Sequence, residues 1–136
     1  MRIVVIDGQG GRMGQLFIEK VRAEGIECEI LAIGTNAIAT SAMLKAGANQ
    51  GATGENPAIV VCRTADFIVG PIGILVADSL LGEVTPKMAV AVGQSSAKKL
   101  LFPVNHCNNI VVGVHDLSLV RLVREAVEII RKHAEA

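Results

Sequence analysis

The feature that most constrains the fold of this chain is a short apolar run followed directly by a cluster of glycines. Residues 3–6 (Ile-Val-Val-Ile) are continuously apolar, which is typical of a strand buried on both faces of a parallel sheet. Four glycines lie between positions 8 and 14, and the apolar spacing of residues 16–21 then predicts a helix that ends near Gly25. A strand, a glycine-rich turn and a helix open a strand–helix–strand unit, so the sequence predicts a parallel sheet.

The rest of the chain alternates between predicted strands and predicted helices. Further strands are predicted at 29–33, 67–70, 100–102 and 110–112, and helices at 38–46, 58–65, 72–81, 86–92 and 119–133. The connection at 105–109 is too short for a parallel crossover, so the last strand is predicted to be an antiparallel edge strand. The sequence therefore predicts one three-layer, Rossmann-like α/β domain over residues 1–136, with a mostly parallel sheet of about five strands.

The composition excludes several functional classes. Apolar residues make up 51% of the chain, and 13 basic residues balance 13 acidic ones. This combination excludes an intrinsically disordered chain and provides no basic surface for nucleic acid. Three Phe residues without any Trp or Tyr leave no platform for stacked bases, and the apolar stretch 67–77 is too short to span a membrane. Neither nucleic acid nor a membrane is therefore an expected partner.

The cysteines and the scarcity of charge predict a compartment and an assembly state. Cys28, Cys62 and Cys107 are odd in number and widely spaced, which favours reduced thiols and a cytoplasmic location. The chain begins with a predicted strand, and the apolar run of residues 3–6 is too short for a signal peptide. Only 19% of the residues are charged, and residues 72–92 contain three charged side chains. Such a charge-poor stretch in a small protein predicts a homo-oligomer interface.

Candidate ligand-binding residues follow the predicted strands, because ligands of open parallel sheets bind beyond the carboxyl ends of the strands. They are Asp7, Gly8, Gly10, Gly11, Arg12, Met13 and Gly14 after the first strand, Thr35 and Asn36 after the second, Gly70 and Pro71 after the third, and Asn105 and His106 after the fourth. We call this edge of the sheet, where these residues are expected, the rim. Glycines allow a phosphate to approach backbone amides, and the helix behind them supplies a partial positive charge. We therefore expect a small-molecule nucleotide or dinucleotide ligand, with NAD(P) among the candidates.

Each of these segments also has an interpretation without a ligand. The glycine cluster can be a tight strand–helix turn, and Thr35 and Asn36 can cap the next helix. Residues 51–56, which are polar and glycine-rich, can be a simple connection or a lid over the rim.

The glycine loop resembles that of a known enzyme family. Residues 11–14, Gly-Arg-Met-Gly, match the end of the Gly-x-x-Gly-Arg-Met-Gly loop of dihydrodipicolinate reductases. In that family the loop binds the pyrophosphate of NADH or NADPH, which implies cofactor binding at Gly8, Gly11, Arg12, Met13 and Gly14. The family's substrate domain, with its paired histidines and catalytic lysine, has no counterpart in this chain, so the resemblance does not extend to reductase activity.

A wider resemblance covers nearly the whole chain. Segments 33–36, 44–48, 51–56, 70–73 and 103–105 are similar to a family of short bacterial proteins classed as a domain of unknown function. This resemblance supports the predicted fold and implies no activity.

The residues at the rim do not form a recognisable catalytic set. Dinucleotide-binding folds place Asp or Glu after the second strand to bind ribose hydroxyls, whereas this chain has Thr35 and Asn36. Asp7 and His106 are the titratable pair expected on neighbouring strand ends. If both met a bound ligand, His106 would exchange a proton near neutral pH, with Asp7 orienting it. The favoured interpretation is that Asp7 accepts hydrogen bonds from the glycine-loop amides and that His106 only lines the crevice. The possible metal ligands, which include Cys107 and His115, are scattered, so no metal site is expected.

Three functions remain open at this point. The chain is a nucleotide-binding module, an NAD(P)-dependent oxidoreductase-like enzyme whose active site is completed by oligomerisation, or a scaffold without a ligand. The binding module is favoured. It predicts that Gly11→Asp abolishes binding while the fold survives, and that His106→Ala weakens binding by about tenfold or less.

Overall fold

In the described residues five parallel strands form one sheet, in which β1 occupies the central position. β1 (Arg2–Asp7) pairs with β2 (Glu29–Gly34) on one side and with β4 (Phe67–Pro71) on the other. β3 (Gln50–Thr53) and β5 (Lys98–Phe102) form the edges, so the strand order is β3-β2-β1-β4-β5. This order is that of the first five strands of a Rossmann sheet. The computed structural model describes residues 1–104, 108–115 and 118–136.

Helices cover both faces of the sheet. In the described part of the chain they are α1 (Arg12–Ala23), α2 (Ala37–Ala46), α3 (Glu55–Cys62), α4 (Pro86–Gln94) and α5 (Leu119–Glu135). α1, α2 and α5 share one apolar core with the sheet, and α3 and α4 share a second core on the opposite face. The predicted fold class, a three-layer Rossmann-like α/β architecture, is confirmed. None of the helices in the described residues is long and apolar enough to cross a membrane.

The residues of β1 alternate between the two cores. Ile3 and Val5 belong to the core with α1, α2 and α5, whereas Val4 and Ile6 belong to the core with α3 and α4, and all four are fully buried. The chain builds the sheet from β1 towards the β3 edge and then returns to place β4 on the other side of β1. The carboxyl ends of β1 and β4 therefore form the switch point at which open parallel sheets hold ligands.

The predicted antiparallel edge strand is wrong. Residues 110–112 form no strand, and Ile110 and Val112 are almost fully exposed, at 89% and 93%. The fifth strand is instead β3, within a stretch that was interpreted as a connection or lid. Its residues lack an apolar run and are mostly exposed, so its position depends on backbone pairing with β2 and not on a hydrophobic pattern.

The helix predicted at 72–81 is also wrong. A short 3-10 helix covers Ile72–Leu75, and residues 76–84, which we call the cover segment, follow without regular structure. The backbone φ angles of Asp78, Leu80 and Leu81 are positive, at 66°, 55° and 56°, and these values interrupt any helix. The side chain of Leu80 is nevertheless buried, which explains why the apolar pattern resembled that of a helix.

The start of α4 follows the capping signal in the sequence, whereas the start of α3 does not. The hydroxyl of Thr85 accepts a hydrogen bond from the amide of Met88, and Pro86 occupies the first position of α4. α3 begins earlier than predicted, at Glu55, so that Pro57 lies within its first turn, where an amide has no helical partner to lose.

Candidate functional site

Asp7 organises the glycine loop from the end of β1. Its Oδ1 accepts a hydrogen bond of 2.8 Å from the amide of Gly8, and its Oδ2 accepts one of 2.8 Å from the amide of Gly14. The amide of Gly11 donates to the carbonyl of Gly8 at 2.9 Å and closes a tight turn. The side chain of Asp7 is buried, so the loop backbone wraps around a carboxylate that solvent barely reaches.

The surroundings of Asp7 act on its ionisation in opposite directions. Burial is the largest effect and raises the pKa of Asp7 above its ordinary value, because the charged form loses solvation. Hydrogen bonds from the amides of Gly14 and Gly8 lower the pKa, and the negative charge of Glu83 raises it further. Part of the anion-binding capacity of the loop therefore serves an internal carboxylate.

Two of the loop glycines lie in close contact with α2. Gly11 has a φ of 72°, and a Cβ at this position would lie 2.8 Å from the Cα of Ala39. A Cβ on Gly14 would lie 2.5 Å from the Sδ of Met43. The prediction that the fold survives Gly11→Asp is therefore not supported by this geometry, because the new side chain would meet backbone atoms of α2.

Gly10 differs from the other glycines of the loop. A Cβ at Gly10 would meet no heavy atom within 4 Å, and its φ lies outside the left-handed range. Among the described residues, the amides of Gly10 and Arg12 have no hydrogen-bond partner, and the exposed guanidinium of Arg12 forms no ion pair. These groups are the donors that the loop leaves available at the start of α1.

Glu83 of the cover segment lies over the rim and links it to the end of β2. Its Oε1 accepts hydrogen bonds from the amide of Gln9 at 3.1 Å, from the side-chain amide of Asn36 at 2.9 Å and from the hydroxyl of Thr35. The hydrogen bond from Thr35 is the largest effect on this carboxylate and lowers the pKa of Glu83, against an opposing contribution from partial burial. Glu83 is thus held as a carboxylate by three donors.

Asn36 combines the two roles that the sequence left open. Its Oδ1 accepts a hydrogen bond of 2.9 Å from the amide of Ala39 and caps α2, while its Nδ2 donates to the carbonyl of Gln9 at 2.9 Å as well as to Glu83. The cap and the rim therefore share one side chain, which fixes the glycine loop relative to β2.

The other predicted site residues contribute less to the exposed rim. Met13 is a residue of α1 that is buried in the core, and Gly70 and Pro71 are buried at the end of β4. A Cβ on Gly70 would lie 2.5 Å from the carbonyl oxygen of Ile6, so this glycine permits the close approach of β4 to β1. These three residues therefore support the rim by packing beneath it and are not exposed on it.

Two predicted residues, Asn105 and His106, lie outside the described residues. The strand that precedes them, β5, pairs with β4 and not with β1. The expectation that β1, which ends at Asp7, and β5, which precedes His106, are neighbours in the sheet is therefore wrong, because β4 lies between β1 and β5.

Glu83 and the backbone of Gln9 are rim groups that the sequence did not identify. Glu83 is separated from Thr35 by 48 positions and follows a stretch with an apolar pattern. The absence of an acidic residue after β2 was the available signal, but it did not indicate which other carboxylate would lie there.

A wide groove of about 710 Å³ lies away from the rim, between α3 and α4. Apolar side chains such as Ile59 and Val90 line much of it, beside Arg63 and Lys87. It contains no counterpart of the glycine loop, so we assign the candidate ligand site to the rim.

Comparisons with known proteins place the chain in a family. Residues 2–135 match the family described as Domain of unknown function (DUF3842). No curated protein matches the chain in sequence. A crystal structure of a dodecameric FMN-dependent Ubix-like decarboxylase from Escherichia coli O157:H7 is similar over 100% of this chain and 95% of that chain, with 12% sequence identity and a TM-score of 0.44.

Proposed function

Since the chain belongs to the DUF3842 family, whose description names no activity, we propose a function from the rim: the protein binds a nucleotide or dinucleotide at residues 7–14. The observation that carries this proposal is that the amides of Gly10 and Arg12, at the switch point of a Rossmann-ordered sheet, have no partner within the described part of the chain.

The open donors fit a phosphate group in charge and position. The amide of Arg12 begins the first turn of α1 and that of Gly10 directly precedes the N-cap residue Gly11, so both lie at the end of the helix where its dipole favours an anion. The side chain of Arg12 adds a full positive charge. Gly10 leaves open space above the loop, which allows a phosphate to approach the backbone. The protein therefore offers an external anion site next to the internal one that Asp7 occupies.

The other side of the rim offers groups for a ribose. Thr35, Asn36 and Glu83 form a connected set of hydroxyl, amide and carboxylate groups at the end of β2. A phosphate site and a polar set beside it, joined by the backbone of Gln9, are the features that a nucleotide needs and a free phosphate does not.

Isothermal titration calorimetry with ADP, ATP and NAD tests this proposal on the variant Gly10→Asp. The substitution places a negative charge where the phosphate would approach, without a clash and without left-handed strain, so binding should fall by at least a hundredfold while the fold remains intact. Circular dichroism and the melting temperature report the fold.

The matched control is Gly93→Asp. Gly93 is exposed and lies in the last turn of α4, at the opposite end of the sheet. A Cβ at this position would lie 3.7 Å from the Cδ2 of Leu75, which is an ordinary contact. This variant adds the same charge and should bind as the wild-type protein does. Absence of binding in the wild-type protein, or equal affinity in Gly10→Asp, contradicts the proposal.

We also propose that the protein is a cytoplasmic homo-oligomer. Cys28 and Cys62 are free thiols, and burial raises the pKa of Cys62 to about 11, which keeps that thiol protonated at neutral pH. Free thiols support the cytoplasmic location.

The groove between α3 and α4 supports the homo-oligomer, because it exposes apolar side chains that a second copy of the chain would cover.

A further inference from the structure

The end of β2 lacks the residue that most dinucleotide-binding sheets use to bind ribose. In those sheets an Asp or Glu after the second strand accepts hydrogen bonds from the ribose hydroxyls. In this chain Thr35 and Asn36 occupy that position, and both are hydrogen-bond donors in the observed structure. A ribose diol, which donates two hydrogen bonds, needs an acceptor there.

Glu83 brings a carboxylate to that position from a different part of the chain. It reaches the end of β2 from the connection between β4 and α4, and it contacts both Thr35 and Asn36. The cover segment is itself fixed, because the hydroxyl of Ser79 donates to the carbonyl of Gly73 at 2.5 Å and the amide of Asp78 donates to the carbonyl of Val84 at 2.7 Å. The placement of Glu83 is therefore built into the fold.

The two oxygens of Glu83 have different surroundings. Oε1 accepts all three hydrogen bonds, from Gln9, Asn36 and Thr35, which orient the carboxylate. Oε2 has no partner among the described residues, and no cation forms an ion pair with Glu83 there. An oriented carboxylate with one free oxygen accepts hydroxyl groups and repels a phosphate.

We propose that Glu83 is the specificity-determining residue of the rim, which accepts hydrogen bonds from the ribose diol of the ligand through Oε2 and excludes ligands with a 2′-phosphate. This inference rests on the proposed nucleotide binding and names the ligand class: nucleotides with a free 2′-hydroxyl. The carboxylate replaces, from the cover segment, the acidic residue that is absent after β2.

Calorimetric titrations of the wild-type protein, Glu83→Gln and Asp78→Asn with NAD and NADP test the proposal. The wild-type protein should bind NAD at least tenfold more tightly than NADP, because NADP carries the phosphate that Glu83 repels. Glu83→Gln should bind NAD about tenfold more weakly and lose most of the preference, since it removes one charge-assisted hydrogen bond.

Asp78→Asn is the matched control. Asp78 lies in the same segment, is exposed and forms no side-chain hydrogen bond or ion pair among the described residues, and Asn tolerates its positive φ. It removes the same charge and should keep both affinities. A second measurement on the wild-type protein needs no variant: 2′-deoxy-ADP should bind at least tenfold more weakly than ADP.

The outcomes separate this inference from the proposed function. Equal wild-type affinities for NAD and NADP, or for ADP and 2′-deoxy-ADP, overturn the role of Glu83 and leave nucleotide binding in place. Tighter NAD binding by Glu83→Gln also overturns it, because Glu83 would then compete with the ligand for the loop. A wild-type protein that binds none of the four nucleotides overturns both proposals.

Discussion

At the scale of single residues, two carboxylates at one rim are perturbed in opposite directions. Asp7 is enclosed by the glycine loop, so that loss of solvation outweighs its two amide hydrogen bonds. Glu83 is closer to solvent, so that the hydrogen bond from Thr35 outweighs its desolvation. Burial therefore distinguishes two groups of the same charge: Asp7 holds the loop, and Glu83 is the carboxylate available for the proposed ligand contact.

The two carboxylates should titrate on opposite sides of their ordinary pKa values. Glu83 stabilises the fold above its ordinary pKa of 4.5, and this contribution is lost as the pH falls through its lowered pKa. The contribution of Asp7 has the opposite sign, because it is fully present below 3.8 and is lost as the pH rises through its raised pKa. Carboxyl ¹³C NMR should place Asp7 above 3.8 and Glu83 below 4.5.

The variant Glu83→Gln checks the sign of the contribution of Glu83 to stability. Between about pH 5 and about pH 3, its free energy of unfolding should fall less than that of the wild-type protein, because the carboxylate that would be protonated is absent. The free energy of unfolding is measured by urea unfolding at several pH values. If it falls equally with pH in the variant and in the wild-type protein, Glu83 is not held by Thr35 in solution.

At the scale of elements, the packing of α1 on α2 depends on Gly11. Gly11→Ala should destabilise the protein by about 2 kcal/mol or more, because it combines a left-handed backbone with a Cβ 2.8 Å from the Cα of Ala39. Gly10→Ala in the same loop should change the stability by less than about 0.5 kcal/mol, since its Cβ meets nothing. Urea unfolding of both variants measures the difference, and equal stabilities would contradict the assigned packing.

Elements with local signals could be predicted from the sequence, and elements that depend on distant partners could not. β1 is recognised by four consecutive apolar residues, and α4 by Thr85 followed by Pro86. In both cases residues that are adjacent in the sequence determine the burial or the capping. β3 has no such pattern, since its strand conformation comes from hydrogen bonds to β2. The cover segment has an apolar pattern, but its left-handed residues at 80 and 81 end any helix.

At the scale of the whole molecule, the strand order determines which predicted site residues meet. The sequence predicted the glycine loop and the pair Thr35 and Asn36, because both directly follow strands that are adjacent in the chain and in the sheet. It did not predict Glu83, whose contact with the rim depends on β4 lying next to β1 and on the path of the cover segment. Tertiary topology, and not local pattern, completes the candidate site.

The same topology narrows the prediction of an oligomer interface in residues 72–92. Much of that stretch is core, since Ile74, Val84, Met88 and Val92 are buried against the sheet, so its scarcity of charge has an internal cause. Val90 remains, 53% exposed, at the groove between α3 and α4 that Ile59 also lines. If a second copy covers this groove, Val90 lies in the apolar centre of the interface, where charge is disfavoured.

Sedimentation velocity at tens of micromolar tests this interface. The wild-type protein should sediment with a mass above the 14.2 kDa of one chain, and Val90→Lys should return it to a monomer, because the interface would bury an unpaired charge. Ile38→Lys, at a residue of α2 that is 72% exposed, makes the same kind of change on the opposite layer and should leave the assembly intact. A wild-type monomer contradicts the prediction of an oligomer, and dissociation by both variants contradicts its assignment to the groove between α3 and α4.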